Sequence, residues 1–312
     1  IKDAQWIAQL HRCGLIEGSM VPSQDIRDLR DQTRYRRKMV QGITAEKNRI
    51  HKILQDANIK LTSFMSDLFG VSGRAMLEKL IDGEVLDEPE VRALVKTQLK
   101  KKVPHLLDAL NGKVTLHHRK MMNKHWRHLT FMEAEVKQIE ADIDEYLQAY
   151  KEEIGWLDSI PGIDLHTAAA IFAEIGPEAS TTFPTDAQLA SWVGICPGNN
   201  ESAGKKKNSK CPQGNKHVKA ALCQASWANG KSKNRIGHFF RKIRKRRGEK
   251  KASVAAAHMI LRIVYALLRD KTNYKEEEDK TDKLKDKSLN YFMKQIQDLG
   301  FNIQVTPQNE VV

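Results

Sequence analysis

Two stretches of this sequence space their apolar residues at steps of three and four for much longer than a globular helix usually runs, and that restricts the fold before anything else is considered. The first passes from Leu29 through Val40, Ile43, Ile50, Leu54 and Ala57, with Lys47 filling the expected step between Ile43 and Ile50. The second, Trp126, Leu129, Met132, Val136, Ile139, Ile143 and Leu147, keeps this stepping for about six turns. A helix with one apolar stripe must bury that stripe against a partner. Two such helices in one chain predict an antiparallel helical hairpin or coiled coil.

Between them a shorter helical insert is expected. Ser72 is placed to cap a helix carrying Ala75, Leu77 and Leu80, with Gly83 ending it, Pro89 at a helix start and Pro104 at a break. His117, His118, His125 and His128 fall on or near the second long helix. No acid pattern in the sequence matches them, so they read as surface residues. Nothing in this region has a catalytic signature, and structure and oligomerisation are the expected roles.

At Trp156 the character changes. Gly and Pro become frequent, helices shorten, and Leu157-Asp158-Ser159-Ile160-Pro161-Gly162-Ile163 precedes a helix rich in small residues. Leu165, Ala169, Phe172 and Ile175 form its stripe, Gly176-Pro177 ends it, and Leu189 to Val193 suggests another short helix before Gly194. Two more follow, roughly His217 to Ala228 and Ala252 to Leu268. After Asp270 the run Lys275-Glu-Glu-Glu-Asp-Lys280 reads as a solvated linker to an amphipathic helix at about 286–299, ended by Gly300, with strand-like residues near Phe301 to Val305. The expected fold class is all-α, a long helical hairpin followed by a compact helical domain containing a helix-hairpin-helix-like turn. The expected divisions are 1–25, 26–150, 151–270 and 271–312.

Charge then narrows the function. The formal net charge is +13, yet residues 201–251 alone hold seventeen Lys or Arg against Glu201 and Glu249, or +15, which leaves the remainder near neutrality (13 − 15 = −2). Charge confined to one segment marks a binding face for a polyanion, since a solubility device would be spread over the surface. Val218, Leu222, Val254, Leu261 and Val264 lie inside or beside the same segment, so the cations ride on a packed scaffold. No apolar run of about eighteen residues stands out, nor does the N-terminal Ile1-Lys2-Asp3-Ala4 resemble a signal peptide, so no membrane partner and a cytoplasmic location are expected. Cys13, Cys196, Cys211 and Cys223 include no C-x-x-C pair, and the spacing of Cys196, Cys211, His217 and Cys223 matches no common zinc finger. Small, partly buried thiols are expected instead.

Two segments have chemical potential. Ile160-Pro161-Gly162-Ile163 has the shape of a hairpin whose backbone N–H groups and following helix N-terminus meet a DNA phosphate, making Gly162 a candidate contact. That pattern usually carries a second glycine where this chain has Asp164, which can cap the helix but repels phosphate, so an ordinary helix turn stays open. The second segment is Cys196-Pro-Gly-Asn-Asn-Glu-Ser202-Ala-Gly-Lys205-Lys206-Lys207-Asn-Ser-Lys210, followed by Gly214-Asn215-Lys216 and then Lys219. A serine in a Gly-containing loop beside three lysines can meet a phosphodiester at close range. Its hydroxyl still needs help to act as a nucleophile, and the phosphorane charge needs donors such as these lysines. On spacing alone, a solvated loop serine remains the ordinary alternative.

Several of these motifs together resemble a known family. The series Ser159-Ile-Pro-Gly-Ile, Phe172-Ala-Glu-Ile-Gly176, Leu189-Ala-Ser-Trp-Val-Gly194, Asn200-Glu-Ser-Ala-Gly-Lys205 and Gly214-Asn-Lys216 is similar to the C-terminal domain of IS110-family transposases, especially the IS-eleven-eleven group. The resemblance implies that Ser202 is the nucleophile that becomes attached to DNA. It also implies that Lys2-Asp3-Ala4-x-Trp6-Ile7-Ala8 ends a RuvC-like domain, in which Asp3 is the last of four acids that hold Mg²⁺. The other three acids would lie before Ile1. One carboxylate rarely retains Mg²⁺, so no stable metal site is expected here. The implied partners are DNA, a structured guide RNA and further copies of the protein in a homo-oligomer. Two other readings accompany this one, a non-catalytic helix-hairpin-helix nucleic-acid-binding protein and an inactive transposase remnant.

Overall fold

The structure is a computed structural model describing residues 2–16, 21–196, 200–208, 210–276 and 291–301; at Thr97, 200–202 and 206–208 it describes the backbone alone. The expected linker residues 277–280, the first turn of the terminal helix and the strand-like residues beyond Phe301 lie outside the described residues. Contacts divide the chain into two units, residues 21–150, and residues 151–312 together with 1–20. The fold is all-α apart from one two-stranded ribbon.

The chain opens with α1 (Lys2–Arg12), which has no buried residue. The unit 21–150 is built on α2 (Gln24–Asp56), which pairs with a long helix after a three-helix insert of α3 (Val71–Asp82), α4 (Glu88–Leu94) and α5 (Val103–Leu110). That second long helix is α6 (Leu116–Leu147). Their polar contacts give the direction: Arg36 meets Glu140, Glu46 meets His128 and Asp56 meets His118. One residue number rises as the other falls, so the helices are antiparallel, as the two apolar stripes require.

The stripe on α6 is buried from Met122 through Leu147, whereas on α2 the buried line follows Ile26, Leu29, Thr33, Glu46, Ile50 and Leu54. Val40, expected inside, is exposed. Midway along the hairpin the contact is polar, and Gly42 lets the Met132 sulfur come close, with only 3.0 Å to a Cβ placed there. The insert closes the other part of the unit, where Met76, Leu77, Leu80, Val91, Val103 and Leu106 join Ile50, Leu54, Met122 and Leu129 in one core.

Two local expectations change and a third gains detail. Ser72 is not a cap, because α3 begins from extended Gly70, and the Ser72 hydroxyl instead accepts the Lys96 N–H at 3.1 Å, tying α3 to the end of α4. Pro104 stands at the expected break, between a 3₁₀ turn (Thr97–Lys102) and α5, but its place there is the first turn of α5, where a missing N–H costs nothing. The histidines of α6 are not idle surface groups. His125 Nδ1 lies 2.6 Å and His128 Nδ1 3.1 Å from the Glu46 carboxylate, which is only 3% exposed and also meets Arg49.

The unit ending the chain contains α7 (Lys151–Asp158), α8 (Leu165–Ile175), α9 (Ala179–Thr182), α10 (Asp186–Val193), the strands β1 (Asn200–Ser202) and β2 (Lys205–Asn208), then α11 (Lys216–Ala228), α12 (Arg235–Arg247) and α13 (Glu249–Asp270). A further helix covers 291–298. The organising element is α13, against which α7, α9, α10, α11 and α12 all pack. By length and composition α13 could cross a bilayer, a stretch the sequence reading passed over, but ten of its 22 residues are buried in this core. A fully used apolar face is the mark of a core helix.

The Glu46 cluster sets a pH dependence. Burial raises the carboxyl pKa, but hydrogen bonds to His125 and His128 and the charge of Arg49 outweigh it, leaving the group below the ordinary 4.5. A depressed acid stabilises the fold above its unfolded pKa, and the contribution disappears as pH falls through the folded value. Stability of residues 21–150 should therefore be flat above about pH 5.5 and fall below about 4.5. Glu46→Ala should cost about 1–3 kcal/mol at pH 7 by removing the buried acceptor that ties half-buried His125 and exposed His128 of α6 to α2. Glu46→Gln should remove most of the acid-dependent part. Amide exchange of α2 and α6 as a function of pH reads both effects.

Candidate active site and nucleic-acid interface

The hairpin at 159–164 is shaped by a Pro-Gly turn. Ile160 and Ile163 are buried, the Ile163 N–H bonds the Ile160 carbonyl at 3.0 Å, and Gly162 takes φ +81°, which suits glycine at the third position of a type II turn. Asp164 caps α8 by accepting the Thr167 N–H at 2.8 Å. The Cβ side of Gly162 faces Asn229, since a methyl there would lie 2.3 Å from the Asn229 amide nitrogen. Asn229 is 1% exposed and donates to the carbonyls of Pro161 (2.5 Å) and Ala225 (2.9 Å) while accepting from Asn234 (2.7 Å). One asparagine thus joins the turn to the end of α11 and to the cap of α12. Gly162 itself is exposed, so its other side is open to solvent.

The serine loop is mounted on a neck of two glycines. A Cβ on Gly194 would fall 2.8 Å from the Pro212 carbonyl oxygen, and one on Gly214 would fall 2.5 Å from the Gly194 nitrogen. The loop leaves after α10 and returns before α11 through backbone contact that any side chain would separate. Three bonds fasten it. The Asn215 N–H donates to Trp192 O at 3.2 Å, Lys219 Nζ donates to Gly194 O at 2.9 Å, and Asn215 Nδ2 donates to Glu174 Oε2 at 2.7 Å. Glu174 is 1% exposed. The Asn215 side-chain oxygen also caps α11, accepting from His217 and Val218.

Beyond the neck, β1 and β2 form an antiparallel ribbon in which Ser202 stands opposite Lys205, and Glu201 opposite Lys206. Its connection is Ala203-Gly204 with φ of +51° and +71°, the two left-handed residues of a type I′ hairpin turn. Glycine accepts this freely, while alanine there costs about 1–2 kcal/mol. A methyl on Gly204 would meet nothing within 4 Å, so the tip stands clear. The side chains of Ser202, Lys206 and Lys207 lie outside the described residues; Lys205, Lys210 and Lys216 are exposed. Of the residues singled out from sequence, Asn215 and Lys219 therefore hold the neck, and the lysines at 205, 210 and 216 present their charge to solvent.

The sequence reading missed α12 as a helix, although its cations were counted. Asn234 caps it (2.8 Å from the Gly237 N–H), Ile236 and Phe240 anchor it, and Phe240 packs on Trp227 with ring centroids 5.5 Å apart. Arg241 is used internally, donating to the carbonyls of Gly230 and Ser232. Lys242, Arg244, Lys245, Arg246 and Arg247 are exposed, and Lys250 and Lys251 continue the patch past Gly248. Cations in a last helical turn favour the dipole.

Burial raises the thiol pKa of Cys196 and of Cys223, keeping both protonated and poor as ligands. Among the described residues no three His, Cys, Asp or Glu side chains gather as metal ligands. Asp3, the metal-binding acid implied by the resemblance, lies exposed in the first turn of α1. The residues present do not fit a Mg²⁺ site, which needs more than one isolated carboxylate.

The unit is thus a helical scaffold carrying a clamped two-stranded ribbon and a helix that ends in a dense run of exposed cations. The comparisons with known proteins are more specific. The family model described as Transposase IS116/IS110/IS902 family matches residues 155–241, spanning the hairpin turn, the neck, the ribbon, α11 and half of α12, and the transposase model DEDD_Tnp_IS110 matches residues 1–59. The chain is 29% identical over 149 residues to the insertion element IS110 uncharacterized 43.6 kDa protein of Streptomyces coelicolor, which covers 47% of this chain and 36% of that relative. Over these segments the chain is similar to transposases of the IS110 family, and it matches about a third of the length of that curated relative.

The neck is testable without DNA. Gly214→Ala should separate it, because the added methyl meets backbone on three sides. Overpacking against backbone costs about 1–3 kcal/mol. Limited proteolysis within 195–213 should accelerate in the variant while cleavage elsewhere is unchanged.

Proposed function

We propose that this chain is the DNA-handling part of a transposase in which Ser202 is the nucleophile. The observation that carries the reading is the ribbon, with a serine placed one residue before a tight, clear-standing turn and opposite a lysine. In a two-stranded antiparallel ribbon, positions opposite each other share a face, which supports a hydroxyl and an ammonium meeting the same phosphate. The Ser202 oxygen would bond to phosphorus, the bond from phosphorus to one sugar oxygen would break, and the serine proton would be lost as the departing sugar oxygen gains one. The resulting protein–DNA phosphodiester conserves the bond energy, so that a DNA hydroxyl can later displace the serine. Lysine cations near the phosphorane supply the electrostatic part of the catalysis.

The exposed cations of α12 and the start of α13 would hold the DNA backbone, with the open side of Gly162 as a further phosphate contact. The family resemblance adds a structured guide RNA, and exchange of two strands calls for a second active site, hence a homo-oligomer. No step is assigned to Asp3 or to Mg²⁺.

Incubation with labelled element-end DNA should give a covalent protein–DNA adduct on a denaturing gel, and Ser202→Ala should abolish it while leaving binding intact. Persistence of the adduct in the alanine variant would remove Ser202 as nucleophile. Binding should weaken steeply with salt, and the triple change Lys242→Ala, Lys245→Ala, Arg246→Ala should lower the slope of log K against log salt by about 3. An unchanged slope would place the DNA elsewhere.

A further inference from the structure

A groove of about 910 Å³ runs along α13 between α12 and the start of α10. Its floor comes from Ala255, Met259, Ile263 and Ala266, at steps of four, four and three on one face of α13, with Phe239 of α12 beside them. All five are half-buried, in contrast to the closed core on the other faces of α13. This is the seam that a helix leaves when it has room for one more partner. The Ser202 chemistry makes no use of it.

The same unit contains a helix with the opposite deficit. Over 291–298 the chain is helical, and Phe292, Ile296 and Leu299, spaced by four and three, are 60%, 40% and 73% exposed. Lys294 and Asp298 are the only charged residues in 291–301, so the segment is neutral and has little to offer a polyanion. The groove stripe is longer than the helix stripe and can seat all of it. Ala255 to Ala266 spans about 16 Å along a helix axis and Phe292 to Leu299 about 10 Å, and the alanines leave hollows for larger side chains.

The route between them begins at the groove. Glu276 accepts the Arg235 N–H at 2.6 Å and the Tyr274 hydroxyl at 3.0 Å, and Arg235 is itself part of the groove wall. Glu276 opens the acidic run Glu276-Glu277-Glu278-Asp279, which leaves the described chain beside a wall that also carries Arg262 and Arg269. The residues 277–290 can reach at most about 50 Å when extended, more than the groove requires. A short tether gives its cargo an effective concentration of about millimolar.

We infer that the terminal helix of this same chain docks its Phe292–Ile296–Leu299 face into the α10–α12–α13 groove. Docking buries the exposed apolar stripe and completes the half-open face of α13.

The full-length chain tests this with the photoreactive residue p-benzoylphenylalanine in place of Phe292, irradiated as an equal mixture of ordinary and ¹⁵N-labelled protein and digested for mass spectrometry. The expected result is cross-links to the peptide bearing Met259 and Ile263, with both halves from the same isotope. Ile296→Asp, a change at an exposed side chain, should reduce their yield by about tenfold, the loss expected when a docked segment is released. Ala266→Glu in the groove should do the same from the other side. Cross-links scattered over the surface, or a yield indifferent to both changes, would overturn the inference. Mixed-isotope pairs would overturn it too, by seating the helix of a second copy in the groove.

Discussion

The C-terminal unit depends on the burial of α13. Five other helices pack on this one, and its small residues set how near they come; Ser253, for example, meets Ser226 of α11 with the two hydroxyl oxygens 2.9 Å apart. Close approach of α11 to α13 fixes both ends of α11, and those ends do the positioning. Its N-terminus carries Asn215 and the neck, while Asn229, just past its C-terminus, carries the Pro-Gly turn and the cap of α12. A helix with its apolar residues buried in the core is therefore what orients the ribbon and the cationic helix. The side-chain amides of Asn215 and Asn229 are central to these attachments, with Lys219 adding a charged donor at the neck, and leaving such an amide unsatisfied at a buried site would cost about as much as the contact contributes.

Much of the fold was legible because its helices repeat an apolar step. The long pair, α8, α10, α11 and α13 all follow stripes visible in the sequence, and the glycines that end α3, α8 and α10 stand where expected. The change of composition at Trp156 falls close to the division between the units at Tyr150. By contrast α12 was passed over because Ile236, Phe239, Phe240 and Ile243, though at helical spacing, make a short stripe that gives way to a run of cations. Its helicity is supplied by a cap and by packing, which are tertiary effects. The link from Glu46 to His125 and His128 was hidden for a related reason, since its partners lie 79 and 82 positions apart and belong to different helices.

The candidate site was legible to a lesser degree. A cluster of lysines and asparagines predicts a charged region but does not separate cations that hold the protein together from those offered to a ligand. Lys219 and Arg241 belong to the first kind, each bonded to backbone carbonyls, and Asn215 and Asn229 have their amides turned inward. The paired contact of Gly194 with Gly214 was also beyond sequence reasoning, because it concerns what a missing Cβ allows between residues twenty positions apart. Ser202 is different again. Charge and loop composition made its surroundings suitable for phosphate, and the family resemblance alone assigned it the nucleophile's role.

The cationic helix bears on that assignment through its own cost. From Arg241 to Arg247 only Ile243 is uncharged, and successive like charges on a helix oppose its formation by a few tenths of a kcal/mol per neighbouring pair. The helix dipole offsets part of this in the last turn, and Arg241 recovers more through its two carbonyl bonds. Among the described residues nothing comparable supports the exposed cations at 242 and 244–247, whose repulsion the fold bears through the anchoring of Ile236 and Phe240. A solubility role would be served equally well by cations spread over the surface. Concentrating them at the end of a helix anchored in its first half by Ile236 and Phe240 is what a polyanionic ligand makes favourable, because each phosphate neutralised removes repulsion the free protein must carry.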